Sequence, residues 1–402
     1  MRMARRALAA TAAACLVVTG GQLSGQQAAS APVGTASTAA AAAPLARVAP
    51  EERVPRLRVR AIKGGLDVPW DLTFLPGGGM LYTQRSRLAL RYRGPGGGDR
   101  AVSFRRGPMW AAGETGLMSI LATRQFARTR QFLTCHGATT ARGHDVRVVL
   151  WRLKQNTRRA VHVRQVLKGL PATSGRHGGC RLRYGPEGAL YVGTGDAALS
   201  GAAQSMRSGG GKVLRIRPLT GRPWPGNPFI GRDRPITRKI FTYGHRNVQG
   251  LARRPGAEMW SVEHGSYRDD EVNRLRSGGN YGWNPGPGYD ETGPMTDHSL
   301  PGRQISARWR SGTPTIATSG AVWLRGRQWG TWNGALAVAA LKDTSLRIMK
   351  FDGQGRFVRM WTPPALNRGD RLRSPVLGPD GNLYVTTANG GGGDRILKVV
   401  PR

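Results

Sequence analysis

Short runs of apolar, β-favouring residues alternate with turn residues along most of this chain. In the clearest pair, Gly-Pro-Glu-Gly-Ala-Leu-Tyr-Val at 185–192 recurs as Gly-Pro-Asp-Gly-Asn-Leu-Tyr-Val at 378–385. Glycine beside a short acidic residue favours a tight reversal, and Leu-Tyr-Val favours a strand. Helical periodicity is weak throughout the chain. The pattern therefore predicts an all-β fold of short strands.

Four weaker copies of this turn-and-strand unit occur at 75–82, 126–134, 254–261 and 332–338. The equivalent strand positions, about 50 to 75 residues apart, are Tyr82, Phe132, Tyr191, Trp260, Leu336 and Tyr384. This spacing accommodates four strands and their loops in each unit, and six such units around one axis form a β-propeller. A large β-sandwich is the main alternative, but it does not account for a repeat that runs from residue 75 to residue 385.

Composition agrees with many short strands and turns in one large domain. The 402 residues include 58 glycines and 26 prolines, which suits frequent reversals of the chain. Such a chain is long for one compact domain, but propellers reach this length around a single axis. We therefore expect a six-bladed propeller over 57–402.

The N-terminal region has the layout of a secretion signal. A basic start, Met-Arg-Met-Ala-Arg-Arg, is followed by an apolar stretch over 7–18 that is too short to span a bilayer. We expect a signal peptide over 1–31, a disordered linker rich in Ala, Ser and Thr over 32–56, and a secreted mature protein. Several small-residue sites suit cleavage, so the boundary stays open.

Removal of this signal leaves two cysteines, Cys135 and Cys180. An even number of cysteines in an exported chain favours a disulfide between them. Two buried free thiols are the alternative, because sequence alone gives no distance between the two Cα atoms.

The chain is strongly basic, since 61 Lys and Arg against 23 Asp and Glu give a formal net charge of +38. The arginines are scattered, without a long basic run or a zinc-finger spacing, so we expect no specific nucleic-acid partner. A diffuse positive field attracts polyanions in general, and non-specific association with anionic cell-wall polymers is compatible with it.

His177 lies in a glycine-rich loop before a repeat strand, and Asp196 lies in the loop directly after that strand. If the two loops meet at one end of a propeller, the Asp carboxylate can bond to the imidazole, fix its tautomer and raise its basicity. A loop histidine is also commonly structural. The residues alone leave both interpretations open.

Other charged or glycine-rich segments suit a ligand. Arg246 and Asn247 offer a guanidinium and an amide to carbonyls and carboxylates, or form an ordinary loop ion pair. The segment 261–273 mixes carboxylates with glycine, which suits calcium but equally describes an acidic hairpin in water. Lys342, after one strand, and Arg371 with Arg373, before another, could together hold a polycarboxylate. In so basic a chain, chance placement of these cations stays open.

Taken in order, these segments resemble the soluble glucose and aldose (sorbosone-type) dehydrogenases that depend on pyrroloquinoline quinone (PQQ). The likeness extends from about residue 66 to residue 400. It is carried by the segments 65–76 and 113–118, His177, Arg246-Asn247, and the segments 280–283 and 371–373. A collinear set of this kind is far more specific than any one of its members.

The resemblance implies a six-bladed propeller that oxidises the C1 hydroxyl of an aldose-type sugar to the lactone, with hydride transfer to calcium-bound PQQ. It implies His177 as the general base and Asp196 as the residue that orients it. Arg246 and the calcium ion would polarise the quinone carbonyl. An external electron acceptor would then reoxidise the cofactor.

The resemblance also implies a set of ligand positions. The cofactor-contacting positions of the family correspond here to Glu114, Arg246, Asn247, Lys342, Arg371 and Arg373. The calcium ion beneath the cofactor corresponds to the backbone at Gly265 and Ser266. A second, structural calcium site corresponds to Glu271 and Tyr281.

This chain departs from the family pattern at three of these positions. Glu114 stands where the glucose enzymes have Gln, Ser266 replaces a Pro, and Cys180 replaces a Gly. Glu114 adds a negative charge beside an anionic quinone.

Two other functions are alternatives to the dehydrogenase: a non-catalytic propeller that binds a glycan or another polyanion, and a calcium-dependent sugar lactonase. The sugar, the electron acceptor and the oligomeric state are not specified by the sequence.

Overall fold

The computed structural model describes residues 53–256 and 258–402, and these residues form an all-β fold. The predicted signal peptide, 1–31, and the predicted linker as far as residue 52 lie outside the described residues. Within the described ranges, helix is confined to α1 (Phe126–Thr129) and to the 3-10 turns Thr237–Lys239, Pro287–Tyr289, Arg327–Trp332 and Pro364–Leu366. None of these helices is long and apolar enough to cross a membrane.

Six small antiparallel sheets follow one another as the blades of a propeller, which confirms the predicted fold. The chain enters with β1 (Leu57–Leu66). Blade 1 consists of β2 (Pro69–Phe74), β3 (Met80–Gln84), β4 (Ala89–Arg93) and β5 (Asp99–Val102). Blade 2 consists of β6 (Met109–Trp110), β7 (Leu117–Ala122), β8 (Gln131–Thr140), β9 (Gly143–Leu153) and β10 (Ala160–Ala172). Blade 3 consists of β11 (Arg181–Tyr184), β12 (Leu190–Gly193), β13 (Lys212–Ile216) and β14 (Ile240–Tyr243).

The remaining three blades repeat this four-stranded plan. Blade 4 consists of β15 (Val248–Arg253), β16 (Met259–Glu263), β17 (Glu271–Arg274) and β18 (Trp309–Arg310). Blade 5 consists of β19 (Thr318–Trp323), β20 (Leu336–Ala340), β21 (Leu346–Phe351) and β22 (Phe357–Trp361). Blade 6 consists of β23 (Leu372–Leu377), β24 (Leu383–Thr387) and β25 (Asp394–Pro401), with β1 as its outermost strand.

The ring is closed by the two ends of the propeller chain. Neighbouring inner strands contact one another all the way round, in the order β2, β7, β11, β15, β19, β23 and back to β2. The entering strand β1 pairs antiparallel with the final strand β25. Next to this pairing, Arg56 and Arg402 exchange two backbone hydrogen bonds of 3.1 and 2.8 Å.

All six predicted repeat positions lie on the strand that follows the inner strand of a blade. In the two clearest copies, the tyrosine hydroxyl donates to the acidic residue of the preceding turn, Tyr191 to Glu187 over 2.8 Å and Tyr384 to Asp380 over 2.9 Å. The ring also packs on the first glycine of the turn, because a Cβ at Gly185 would lie 2.4 Å from the Tyr191 ring. Contacts among the residues of the motif therefore hold the turn against the strand that follows it.

Cys135 on β8 and Cys180, directly before β11, form a disulfide with their Cα atoms 6.2 Å apart. Both cysteines are fully buried, within an apolar cluster that also contains Val148 and Leu182. The predicted disulfide is confirmed, and the alternative of two free thiols is wrong. The bond joins blade 2 to blade 3, three residues from His177.

Candidate active site

The predicted site residues other than Tyr281 lie at one end of the propeller, which we call the channel mouth. Inner strands begin at this end, and the strands that follow them end there, because neighbouring strands are antiparallel. Glu114, His177, Arg246, Asn247, Arg371 and Arg373 precede or begin inner strands. Asp196, Gly265, Ser266 and Lys342 follow second strands, and Glu271 begins a third. The fold therefore brings together residues that are far apart in sequence.

His177 and Asp196 are buried and in contact, with Nδ1 of the imidazole 2.9 Å from Asp196 Oδ1. The backbone N–H of Ala198 also donates to Oδ1, over 2.9 Å. The other carboxylate oxygen, Oδ2, accepts from the Tyr289 hydroxyl over 2.6 Å and from the Trp283 indole N–H over 2.7 Å. With both oxygens engaged, the Asp196 carboxylate is held in one orientation against the imidazole.

This arrangement determines which nitrogen of His177 is free. Burial raises the pKa of Asp196, but the hydrogen bond and charge of His177 and the Tyr289 hydrogen bond outweigh it, so the pKa lies below its ordinary value. An ionised Asp196 accepts a hydrogen bond from Nδ1–H, which leaves Nε2 of the neutral imidazole as the basic nitrogen. The geometry therefore suits the orienting role predicted for Asp196.

A close backbone approach holds the His177 loop against the strand end that carries Asp196. His177 has a φ of +52°, a left-handed conformation that is uncommon outside glycine. Opposite it, a Cβ at Gly195 would lie 1.8 Å from the His177 carbonyl oxygen. Only glycine at 195 permits this approach.

Glu114 is partly buried in a polar cluster at the mouth. Its Oε2 accepts a hydrogen bond of 2.8 Å from Asn247 Nδ2, and Asn247 Oδ1 accepts from the backbone N–H of Gly179 over 3.2 Å. The pKa of Glu114 lies below its ordinary value. Burial alone would raise this pKa, but the charges of His264 and His177, the Asn247 hydrogen bond and the charge of Arg373 together lower it by more. Glu114 is thus an ionised carboxylate among positive groups.

Arg246 is buried and paired with a carboxylate from a distant loop. Its Nε donates to Glu291 Oε1 over 2.9 Å, and Arg176 also contacts the Glu291 carboxylate. The backbone N–H of Arg246 donates to Glu263 Oε2 over 2.9 Å, and its guanidinium lies 5.6 Å from the centre of the Trp283 ring. Arg246 is therefore fixed at both backbone and side chain.

The other cations at the mouth differ in exposure. Arg373 is buried, and burial together with the charges of Arg85 and Arg181 lowers its pKa to about 9. Its Nε and that of Arg85 are buried without a hydrogen-bond partner. Arg371 and Lys342 are exposed, and the charge of Arg371 also lowers the pKa of Arg373. The mouth therefore places several positive charges near the Glu114 carboxylate.

Gly265 and Ser266 begin a tight turn after β16. The backbone N–H of Gly265 donates to Asp270 Oδ1 over 2.9 Å, and a Cβ at Gly265 would lie 2.0 Å from the carbonyl oxygen of Arg268. The Ser266 hydroxyl is buried without a hydrogen-bond partner. The described residues contain no cluster of three or more His, Cys, Asp or Glu side chains suited to a metal, so a cation here would need backbone and hydroxyl oxygens.

Glu271 and Tyr281 lie around a buried carboxylate pair in blade 4. The Asn273 amide donates to Glu263 over 2.7 Å and to Glu271 over 3.2 Å, and its own oxygen is buried without a partner. Burial and the neighbouring Glu263 raise the pKa of Glu271 to about 8. The Tyr281 ring stacks on His245 at 4.5 Å, and His245 Nδ1 lies 2.8 Å from Glu263. The site is rich in oxygen atoms, and one cation, Arg310, pairs with Glu271 through its Nε, which lies 3.4 Å from Glu271 Oε1.

Sequence reasoning missed three residues of the mouth: Arg85, Tyr289 and Glu291. Arg85 directly follows β3, and Asp196 and Lys342 lie in the corresponding loops two to three residues after their strands, so the repeat itself could have identified Arg85. Tyr289 and Glu291 belong to the long connection between β17 and β18, which carries no repeat. No local signal identifies them.

Comparison with known proteins gives one consistent family. The family model described as Glucose / Sorbosone dehydrogenase matches residues 66–398. The aldose sugar dehydrogenase YliI of Escherichia coli K12 is 30% identical over 360 residues, which cover 86% of this chain and 93% of the relative.

Solved structures agree with the sequence comparison. The apo-form of the soluble aldose sugar dehydrogenase of Escherichia coli is similar with a TM-score of 0.77 and 29% identity, covering 86% of this chain and 100% of that one. The PQQ-bound form of the aldose sugar dehydrogenase of Streptomyces coelicolor is similar with a TM-score of 0.72 and 27% identity, covering 87% of this chain and 100% of that one.

Proposed function

This chain belongs to the glucose/sorbosone dehydrogenase family, and on that premise we propose that it oxidises the C1 hydroxyl of an aldose-type sugar to the lactone with calcium-bound PQQ. One observation carries the proposal: an oriented base and a cluster of cations share one channel mouth. Glu114 is close to both, because the charges of His177 and of Arg373 each lower its pKa. A base beside a strongly positive pocket suits proton abstraction next to an anionic redox cofactor.

The residues at the mouth fit an anionic ligand such as PQQ, a tricarboxylate. Arg85 and Arg373 carry buried guanidinium nitrogens without partners, a costly arrangement that carboxylates would relieve. We propose that the cofactor is held by Glu114, Arg246, Asn247, Lys342, Arg371 and Arg373. The negative charge of Glu114 is offset by the cations around it, so its presence does not exclude an anionic cofactor.

PQQ, when bound, supplies the hydride acceptor. His177 Nε2 would take the proton of the anomeric hydroxyl, because Nδ1 is engaged with Asp196. Asp196 would stabilise the imidazolium that results, as it is ionised and held by Tyr289 and Trp283. Arg246 would contribute positive charge beside the reacting centre.

We propose calcium at the two positions that the sequence suggested. The unpartnered Ser266 hydroxyl and the tight turn at Gly265 support a cation held mainly by backbone oxygens. The Glu263 and Glu271 pair, with the unpartnered Asn273 oxygen, supports a second cation near Tyr281. A divalent ion there would add positive charge to that of Arg310, which is partly exposed and pairs with Glu271 over 3.4 Å.

We further propose that the protein is exported and acts outside the cytoplasm. The Cys135–Cys180 disulfide supports this, because disulfides persist chiefly in oxidising compartments. An external acceptor would reoxidise the cofactor, and the net charge of +38 favours a loose association with anionic wall polymers.

The test is reconstitution of the purified protein with PQQ and calcium, followed by dye reduction with a panel of aldoses. Sugar-dependent dye reduction that requires PQQ is the expected result. A glycan-binding propeller would bind sugar without reducing dye under any of these conditions. A lactonase would hydrolyse sugar lactones without PQQ, so the same panel should include lactones as substrates.

A further inference from the structure

Blade 2 carries a cavity of about 170 Å³ that is separate from the channel mouth. Its walls are the strands β8, β9 and β10 and the segment 105–109, which leads from blade 1 into blade 2. None of the residues assigned to the cofactor, the calcium ions or the base lines it. The polar lining consists of Arg105, Arg106, His136, Arg147, His162 and Gln165.

His136 is a buried residue in the wall of this cavity, with 5% of its surface exposed. Its Nδ1 lies 3.3 Å from the Thr134 hydroxyl, which accepts a hydrogen bond of 2.9 Å from the Trp151 indole. Among the described residues, His136 Nδ1 is the one acceptor for the hydrogen of the Thr134 hydroxyl, so the hydroxyl donates this hydrogen to Nδ1. A neutral imidazole then carries its proton on Nε2, as a donor without a hydrogen-bond partner in residues 53–256 and 258–402.

Arg147 faces His136 across the β8–β9 pair and adds a second donor group. Its Nε donates to Asp145 Oδ1 over 2.6 Å, while Asp145 Oδ2 accepts from the backbone N–H of Gly169 over 3.0 Å. Asp145 is therefore occupied on both oxygens. The two terminal amino groups of Arg147 have no partner among the described residues.

The charged side chains that line the cavity are all basic. Arg105 and Arg106 are exposed at its rim with no ion pair in the described part of the chain, and no Asp or Glu lines it. Burial, together with the positive charges of Arg147 and His162, holds the pKa of His136 at about 3. These observations describe a concave pocket with several convergent donors, in which Arg147 is the only arginine with a carboxylate partner, Asp145, among the described residues.

We propose that this pocket binds a phosphate group, either free or as the phosphoryl group of a larger molecule. Donors approach from three elements, β8, β9 and the 105–109 segment, and a tetrahedral anion presents oxygens in several directions at once. A carboxylate, with two oxygens in one plane, would leave part of this set unused. His136 Nε2 and the Arg147 amino groups form the base of the site, and Arg105 and Arg106 close it.

The test uses the full chain and titrates it with inorganic phosphate at constant ionic strength, by calorimetry and by NMR of the imidazole signals. Saturable binding with a Kd near or below about 1 mM is expected, with a shift of the His136 Nε2 signal. Arg147→Gln and the double change Arg105→Gln with Arg106→Gln should each weaken binding about tenfold, equivalent to about 1.4 kcal/mol.

The matched control is Arg158→Gln with Arg159→Gln, an adjacent exposed pair in the β9–β10 turn that removes the same charge outside the pocket. It should leave phosphate binding within about twofold of the original. Equal loss in the control would mean that only the diffuse charge attracts phosphate, and absence of saturation would also overturn the proposal. Glycerol phosphate and a dialkyl phosphate distinguish the sources: tighter binding of either than of inorganic phosphate indicates a phosphorylated larger molecule, and weaker binding indicates the free anion.

Discussion

Glu291 reaches across the channel mouth to Arg246, whose Nε donates to its carboxylate over 2.9 Å. The two residues are 45 positions apart and belong to different loops. Burial raises the pKa of Glu291, but the charge and hydrogen bonds of Arg246 and Arg176 lower it overall, so the carboxylate is ionised. It therefore competes with any anionic ligand for the same guanidinium.

We predict that Glu291→Gln tightens PQQ binding. The ion pair is partly exposed, so its loss should be worth about 0.2–1 kcal/mol, or an affinity gain of up to about fivefold. The measurement is an equilibrium titration with PQQ in the presence of calcium. Asp290→Asn serves as the control, since Asp290 is an adjacent carboxylate without contact to Arg246. Weaker binding by Glu291→Gln would instead mean that Glu291 orients Arg246 for the cofactor.

His177→Ala should leave PQQ bound while turnover falls by about 10²–10⁴-fold, the usual contribution of a general base. Asp196→Asn should slow turnover less, because it disturbs the orientation of the base without deleting it. Steady-state kinetics and a parallel PQQ titration separate the two effects. Equal turnover by His177→Ala and the original protein would refute the assignment of the base while leaving the family intact.

Tyr289→Phe should lower kcat about two- to tenfold, in line with the loss of one hydrogen bond of about 0.5–1.5 kcal/mol to Asp196. The Tyr289 hydroxyl lies 2.6 Å from Asp196 Oδ2 and 2.9 Å from His177 Nδ1, whereas the ring only packs nearby. PQQ affinity and melting temperature should hardly change. Tyr267→Phe removes a hydroxyl from an exposed tyrosine and should have no effect on kcat. If both variants behave alike, Tyr289 has no positioning role.

Calcium removal should lower the melting temperature, and Glu271→Gln should lessen that shift. The reason is that Glu271 and Glu263 are buried together and share one amide donor, Asn273. Scanning calorimetry with and without a chelator measures both effects. Glu258→Gln, at a carboxylate on the same blade that pairs with Arg274, is the control. An unchanged melting temperature after thorough metal removal would exclude a stabilising calcium ion.

The metal-free protein should also show a specific pH dependence. The pKa of Glu271 is raised from 4.5 to about 8, so the folded state holds this proton more tightly than the unfolded state. Its contribution to stability is complete below pH 4.5 and is lost as pH rises through about 8. Glu271→Gln mimics the protonated form and should flatten this part of the stability profile.

The disulfide should contribute about 4 kcal/mol to the free energy of unfolding, on a chain-entropy estimate for residues 45 apart. Cys135→Ala with Cys180→Ala should therefore unfold at lower denaturant concentration than the original protein. Reductant should destabilise the original protein and leave the double variant unchanged. Mass spectrometry of the non-reduced protein that finds two free thiols would contradict this prediction.

The fold could be predicted because each repeat is local. In the Gly185 to Tyr191 turn, the glycine, the acidic residue and the tyrosine contact one another, so one short segment of sequence contains the whole interaction. The site could be predicted only where a residue stands next to such a repeat, as Asp196 does. Tyr289 and Glu291 contact His177, Asp196 and Arg246 from a loop without a repeat, and those contacts exist only once the complete ring has formed.

The exposure of the cations also could not be read from the sequence. Arg371 and Arg373 are two residues apart, yet Arg371 is exposed before β23 begins and Arg373 is buried within the strand. The surroundings of Arg373 depend on other blades, since Arg85 follows a strand of blade 1 and Glu114 precedes a strand of blade 2. The sequence shows which residue types stand at these positions, but their burial depends on contacts that form only in the assembled ring.

The pairing of β1 with β25 sets a condition on how the protein can assemble. The outermost strand of blade 6 is made first and its partner last, so blade 6 cannot be completed until the whole chain is available. Closure of the ring is therefore a contact of very high sequence separation, which favours slow folding and exposes unpaired strand edges beforehand. Loss of the last eight-residue strand, Asp394–Pro401, should therefore be enough to leave the ring open even though every inner strand is present.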